Sequence, residues 1–486
     1  MTTMHSSAEH EDIAAAMAGI VGAAAVDTDH SALLDASVDR FKKYTAAHGI
    51  YAGPLPMAIV YASSVGQVSE ILRYADDHQV YIVPRTGQTS TEGGLEVVDE
   101  RTIVLDGSRM NEILDIDPVN MMATVQCGVP LEHLEEVVRK QGLTTGHSPQ
   151  SKPLAQYGGL TATRSIGQFS TLYGGIEDMV VGLEAVFPGG AVARIKNVPR
   201  RAAGPDIRHI VIGNEGTLCF ITEVTIKLFR YQPENNRYFG FLLDSFGAGV
   251  DALHDLVTAG YRPSVCRVYS PEDAKQHFDH FAQGKNVVVL VAEGPKLIAD
   301  ATAAAIADVF SRVDCTPVDS TLIEQWFHGL NWGADKIEAE KRSMLDTAHL
   351  GYTTEVSIDW SRVTELFDAV ISRIRSEFPH RDDLTMLGGH SSHSYQTGTN
   401  LYFVYDYWIR CDPRDEISEY HQPLNAIIVE EALRLGGSMV HHHGIGKYRA
   451  GWTRQEHGSA YMLLEGLKKQ FDPHGIMNPG SIYPRT

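Results

Sequence analysis

The stretch Val80-Tyr81-Ile82-Val83-Pro84-Arg85-Thr86-Gly87-Gln88-Thr89-Ser90-Thr91-Glu92-Gly93-Gly94 decides how the first half of the chain is read. Its β-branched and aromatic opening predicts a strand, and the run that follows is nearly free of bulky side chains. Small residues let consecutive backbone N–H groups converge on an anion, and the hydroxyls of Thr86, Thr89 and Ser90 add donors. The spacing is neither GxGxxG nor GxxxxGK[ST], so neither a Rossmann nor a Walker site is indicated. Composition alone fits a surface turn equally well.

Working outward, Ala58-Ile59-Val60-Tyr61 reads as a preceding strand, approached through chain held extended by Pro54 and Pro56. Val68, Ile71, Leu72 and Ala75 recur at helical spacing, which predicts a helix from Ser64. Residues 102–106 and 122–130 read as strands, with Met110, Ile113 and Leu114 on a short helical turn between them. Leu131, Leu134, Val137 and Val138 mark a helix closed by Gly142. Val224, Ile226 and Leu228 alternate with Glu223, Thr225 and Lys227 as a half-buried strand. From residue 231 the chain reads β-α-β-β and then a helix over 297–312, with Trp326 and Trp332 in a less regular segment. Gly436 and Gly437 end one later helix, and Leu463, Leu464, Leu467 and Phe471 form the stripe of the last.

The 486 residues exceed one core and predict two or three domains. A net charge of −20 without a basic run argues against nucleic acid and against a stable membrane anchor. Five scattered cysteines, with no CxxC, argue against a disulfide framework or a thiolate zinc site and suggest a reducing, cytoplasmic setting. The apolar run over residues 13–26 follows Glu9, Glu11 and Asp12, which suits an N-terminal helix rather than a signal peptide.

Three blocks add chemistry. One runs from Pro149-Gln150-Ser151 to Thr163-Arg164-Ser165-Ile166, a second is Gly204-Pro205-Asp206-Ile207, and a third is Glu215-Gly216-Thr217-Leu218. Near the C-terminus stands His441-His442-His443-Gly444-Ile445-Gly446-Lys447, and Met477-Asn478-Pro479-Gly480 closes the chain. Together with residues 84–90, these blocks resemble the vanillyl-alcohol oxidase/p-cresol methylhydroxylase (PCMH) flavoprotein superfamily. The likeness is to its alkyldihydroxyacetonephosphate synthase branch and to bacterial FAD-linked oxidoreductases of about this length.

The resemblance implies an α+β protein: a two-subdomain PCMH-type FAD-binding domain, an α+β substrate or cap domain, and a C-terminal helical segment that returns to the flavin. The expected division is 1–50, 51–230, 231–435 and 436–486. It implies that Pro84, Arg85, Thr86, Gly87, Gln88, Thr89 and Ser90 hold the FAD pyrophosphate. Pro149, Gln150, Ser151, Ala155, Gly159, Thr163, Arg164, Ser165 and Ile166 would line the ribityl chain and ring. Glu215, Gly216, Thr217 and Ile221 would meet the adenine side and flavin edge. Many relatives attach FAD through a histidine in or near the first loop, and residues 84–94 contain none, so noncovalent FAD is expected.

Imidazoles titrate near neutrality and move protons, bind anions or ligate metals. By resemblance Tyr402 is the proton acceptor and donor, so either Tyr402 or one of His441, His442 and His443 would take the substrate O–H proton, with Tyr402 across the site from the histidines. Arg342, His393 and Lys447 would bind an anionic substrate, although residues 338–343 also fit a solvated charged helix. A metal is not expected: Tyr402 stands where related 2-hydroxy-acid dehydrogenases carry a ligating histidine, and consecutive histidines on a strand point to opposite faces. The favoured reaction is oxidation of a small hydroxylated, anionic substrate of the 2-hydroxy acid, polyol or sugar acid type by hydride transfer to flavin N5, with oxygen, a quinone or an electron-transfer flavoprotein as acceptor. The alternative is a synthase-like transferase using a flavin adduct. A homodimer is the expected assembly.

Overall fold

The computed structural model describes residues 7–39, 43–331 and 333–484. The first sheet has the strand order Val26–Asp27, Ala58–Tyr61, Thr102–Asp106, Tyr81–Arg85. Its last three strands are parallel. The crossover helix Val65–His78 starts where Ser64 accepts from the Gln67 N–H and ends at Gln79 in the left-handed region. It buries Val68, Ile71, Leu72 and Ala75 against this sheet. Val68, Ile71 and Leu72 each contribute about 1.5–3 kcal/mol. The closing segment joins the same sheet, with Ile82 and Asn478 exchanging backbone bonds with 476 and 82.

A five-stranded antiparallel sheet follows, in the order Ile113–Asp117, Met122–Gln126, Phe220–Lys227, Val180–Val186, Val192–Ile195. Ile113 and Leu114 therefore lie on an edge strand, not on a helical turn. A register shift between Ile113 and Asp115 breaks the two-residue alternation that would have marked it. Thr225 is buried rather than solvated, because its strand has neighbours on both sides and its Oγ1 pairs with Thr124 Oγ1 at 2.9 Å.

The second half builds a seven-stranded antiparallel sheet, ordered Thr316–Val318, Arg237–Leu243, Asn286–Ala292, Val265–Tyr269, Leu384–Ser391, Gly398–Trp408, His349–Asp359. Helices Phe246–Thr258, Lys296–Phe310 and Val363–Glu377 share one core cluster with it. The β-α-β-β reading omits the helix Pro271–Ala282. Its apolar residues Ala274, Phe278 and Ala282 are few, and the helix is kinked at Phe278, so no clear stripe shows in the sequence. Trp326 belongs to the regular helix Ser320–His328. Trp332 lies outside the described residues. Leu463 is exposed and leaves the stripe of the last helix to Leu464, Leu467 and Phe471.

Candidate active site

A cavity of about 630 Å³ runs from the loop over residues 84–95 to the inner face of the seven-stranded sheet. At one end its walls come from residues 149–151, 158–160, 162–163, 165–166, 215–216 and 219–221. This end is built for close backbone approach. A Cβ on Gly87 would stand 2.5 Å from the Leu154 carbonyl, and one on Gly216 would meet the Pro84 ring at 2.8 Å. Thr86 Oγ1 accepts from the Gly159 N–H at 3.1 Å, tying the first loop to the helix Tyr157–Ala162. Such a cradle of small residues and backbone donors suits a dinucleotide pyrophosphate.

The other end holds the tyrosine and the histidines. Tyr402 projects from the strand Gly398–Trp408, and its hydroxyl lies 3.1 Å from His442 Nε2 and 2.6 Å from His443 Nε2. His441 Nδ1 meets His442 Nδ1 at 2.8 Å, and His441 Nε2 meets the Tyr395 hydroxyl at 2.7 Å. His443 Nδ1 faces Glu92 at 3.6 Å and Glu355 at 3.8 Å. Each ring nitrogen either donates or accepts, so one tautomer sets the polarity of the whole row. With the His443 Nδ1–H toward the carboxylates, His443 accepts from Tyr402, Tyr402 from His442, His442 from His441 and His441 from Tyr395. His442 Nδ1 also lies 3.6 Å from Glu355, and a proton there reverses the His442–His441–Tyr395 part. Burial holds the imidazoles of His393 and His442 well below their usual range, and that of His441 down to about 3. They are neutral at physiological pH.

Two buried carboxylates fix the backbone of this segment. Glu355 accepts from the N–H groups of His441 at 2.6 Å, His442 at 3.2 Å and His443 at 2.8 Å. Glu215 accepts from Ile445 at 2.7 Å and Gly446 at 2.8 Å. Burial raises the Glu215 pKa, partly offset by these bonds. Gly446 is required: at φ +54 a Cβ would lie 2.0 Å from the Glu92 carbonyl. Arg449, fully buried, sits between Glu92 at 3.1 Å and Glu355 at 3.6 Å. Three N–H groups turned to one carboxylate are incompatible with an extended strand. His442 and His443 consequently share the Tyr402 side while His441 turns to Tyr395, the reverse of a two-residue alternation. His393, His441 and His442 bring ring nitrogens within 4.8 Å of one another, so consecutive histidines do converge here.

Residues 56–196 match the FAD binding domain family and residues 232–482 the C-terminal domain of FAD linked oxidases. The chain belongs to the FAD-linked oxidoreductases. It is 62% identical over 467 residues to the FAD-linked oxidoreductase YgcU of Escherichia coli, covering 96% of each chain. It is 29% identical to the alkyldihydroxyacetonephosphate synthase of Dictyostelium discoideum, over 88% of this chain and 73% of that one. A solved structure of 4-ethylphenol oxidase from Gulosibacter chungangensis superposes with a TM-score of 0.78 at 17% identity, over 100% of this chain and 99% of that one. The fold is thus the PCMH type, and FAD is the cofactor.

Most of the expected FAD-linked residues line the cavity: residues 84–90, Pro149, Gln150, Ser151, Gly159, Thr163, Ser165, Ile166, Glu215, Gly216 and Ile221. Four sit elsewhere. Ala155 is buried behind Gly87, and Thr217 is buried with its hydroxyl on the Asn214 carbonyl. Arg164 turns outward to Glu177, and the carboxylate of Glu215, though at the wall, is committed to the C-terminal segment. Of the substrate set, His393 lines the cavity with its Nδ1 on Ser170 Oγ at 2.8 Å. Lys447 instead donates to the Gly94 carbonyl and Asn478 Oδ1, closing the first loop on the chain end. Arg342 is 74% exposed beside Glu338 on the helix Ala334–Asp346, as a solvated charged helix would have it. Lys336 and Lys341 of that helix reach the cavity.

Sequence reasoning passes over Glu355, Arg449, Arg267, Asp273 and His390. Glu355 has a readable signal, a carboxylate in the interior of the strand His349–Asp359 whose neighbours Thr354 and Val356 are apolar or small. The others depend on long-range packing.

Proposed function

We propose that this protein oxidises a small hydroxylated, anionic substrate, with the alcohol placed against Tyr402. Bound FAD supplies the hydride acceptor at N5. The chain itself handles the proton. The Tyr402 hydroxyl donates to His443 Nε2, so it can take the substrate O–H proton while passing its own to that imidazole. The imidazolium so formed faces Glu92 and Glu355, which stabilise it. The observation that carries the reading is this hydroxyl, held by two imidazoles at the wall of the cavity that the FAD residues also line.

Arg267 supports an anionic substrate. It is 8% exposed, lines the cavity and donates to two neutral partners, Tyr269 Oη and Gln168 Oε1, while its Nε has none among the described residues. A buried guanidinium without a carboxylate is costly until an anion joins it. Oxygen, a quinone or an electron-transfer flavoprotein completes turnover. Anaerobic mixing with hydroxy acids tests the reading: bleaching of the flavin band by one of them is expected. No bleaching by any, with release of fatty acid from acyl-dihydroxyacetone phosphate, would replace it with the transferase.

A further inference from the structure

The helix Pro271–Ala282 brings a second group of polar side chains to the cavity. Asp273, Gln276 and His277 lie three and four residues apart and so share one face, which lies against the strand Leu384–Ser391. Two glycines make room for it. A Cβ on Gly388 would press on Ser270 Oγ at 2.8 Å and the Asp273 N at 2.9 Å, and one on Gly351 would stand 2.5 Å from Asp406 Oδ1. Asp273 is fully buried. Its Oδ2 binds His390 Nδ1 at 2.5 Å, while its Oδ1 has no hydrogen-bond partner among the described residues and lies 3.7 Å from His277 Nε2. Gln276 donates to Asp406 Oδ2 at 3.0 Å. The His390 ring lies flat on Tyr402, with centroids 4.8 Å apart and planes 13° apart, so this group adjoins the proposed reaction site.

We infer that Asp273, Gln276, His277, His390 and Asp406 form a subsite for the further hydroxyl groups of a polyhydroxylated acid, beyond the carbon that is oxidised. This rests on the oxidoreductase reading above and narrows its substrate class. The chemistry is that of polyol recognition: a buried carboxylate oxygen without a hydrogen-bond partner among the described residues accepts one hydroxyl once His277, 3.7 Å away, gives way, and this imidazole and the adjacent amide pair with its neighbour. A buried acceptor without a partner is unfavourable, and a substrate hydroxyl satisfies it. Arg267 takes the acid, beside Tyr269, whose ring lies tilted by 35° against His390 with centroids 4.9 Å apart and whose hydroxyl binds the guanidinium. An alkyl chain placed here would strand these polar groups and lose binding.

The test is calorimetric titration of the FAD-loaded protein with the epimeric six-carbon aldonic acids, and with 2-hydroxyhexanoate as the single-hydroxyl control. At least one aldonic acid is expected to bind on the order of tenfold tighter or more than the control, the discrimination that one charge-assisted hydrogen bond supplies. In Asp273→Asn, whose carbonyl oxygen keeps the His390 tether, the ratio is expected to fall to within about threefold. Gln276→Leu, at an exposed helix position, gives the same reading should Asp273→Asn not fold. Equal or weaker binding of every aldonic acid, no binding of either class, or an unchanged ratio in both variants would overturn the subsite. The same titrations, followed by flavin absorbance, separate the two readings. Binding that depends on Asp273 without bleaching sinks the redox reaction and leaves the subsite. Bleaching without preference does the reverse.

Discussion

Replacing Glu355 by glutamine tests whether one carboxylate assembles the histidine row. Its two oxygens accept three backbone N–H groups and lie 3.6 Å from the buried Arg449. Glutamine keeps the shape but offers one carbonyl oxygen, and its NH2 would face a backbone donor. Bonds to a charged acceptor are worth about 1.5–3 kcal/mol each. Breaking a buried charge pair costs about 3–5 kcal/mol. We expect a loss of about 3–5 kcal/mol in urea unfolding, followed by protein and flavin fluorescence together. Turnover should fall about 100-fold, because a displacement near 1 Å of His442 and His443 uncouples Tyr402 from its acceptor. A variant that unfolds at the wild-type urea concentration and turns over within about threefold of it would refute the account.

Tyr402→Phe should retain FAD by absorbance yet lose about 100- to 10,000-fold in turnover. Arg267→Gln should raise KM about tenfold or more, whereas Arg342→Ala should change it less than twofold, and steady-state kinetics separates the two. Gly87→Ala should purify with little flavin, since its Cβ would stand 2.5 Å from the Leu154 carbonyl. Stability should also fall with acid. The unfolded chain binds protons on His441 near pH 6.5 and the folded chain only near 3, so stability is intact above about pH 6.5 and declines as pH drops below it. His393 and His442 act in the same direction. The slope is up to about 1.4 kcal/mol per pH unit for each imidazole. Melting temperatures between pH 8 and 5 measure it, and a flat profile would contradict the buried neutral row.

The parts of this protein legible in its sequence are those encoded locally. The strand and loop over residues 80–94 and the helix Val65–His78 announce themselves through small residues, a serine cap and a 3.6-residue stripe. Resemblance carries the reader to the FAD residues and to Tyr402. What stays hidden is set by distant packing. Ile113–Asp117 conceals its pairing behind a bulge, and Pro271–Ala282 conceals its stripe among polar residues that face a cavity. The histidine row looks like a strand until Glu355 bends it. Arg342 and Lys341 differ by one position, yet on a helix that step of about 100° separates solvent from cavity.

The pairing of Glu215 and Glu355 with one C-terminal segment also sets an order of events during synthesis. Those bonds span 230 and 86–88 residues, and Arg449 reaches Glu92 across 357. Contacts of such separation form after local ones, because closing the intervening chain costs entropy first. The two carboxylates are laid down early in domains that fold from their N-terminal end, and they stay uncompensated until residues 441–449 leave the ribosome. The chain therefore acquires its proton-handling row in the last stage of folding, together with the closure of the first loop by Lys447 and Asn478.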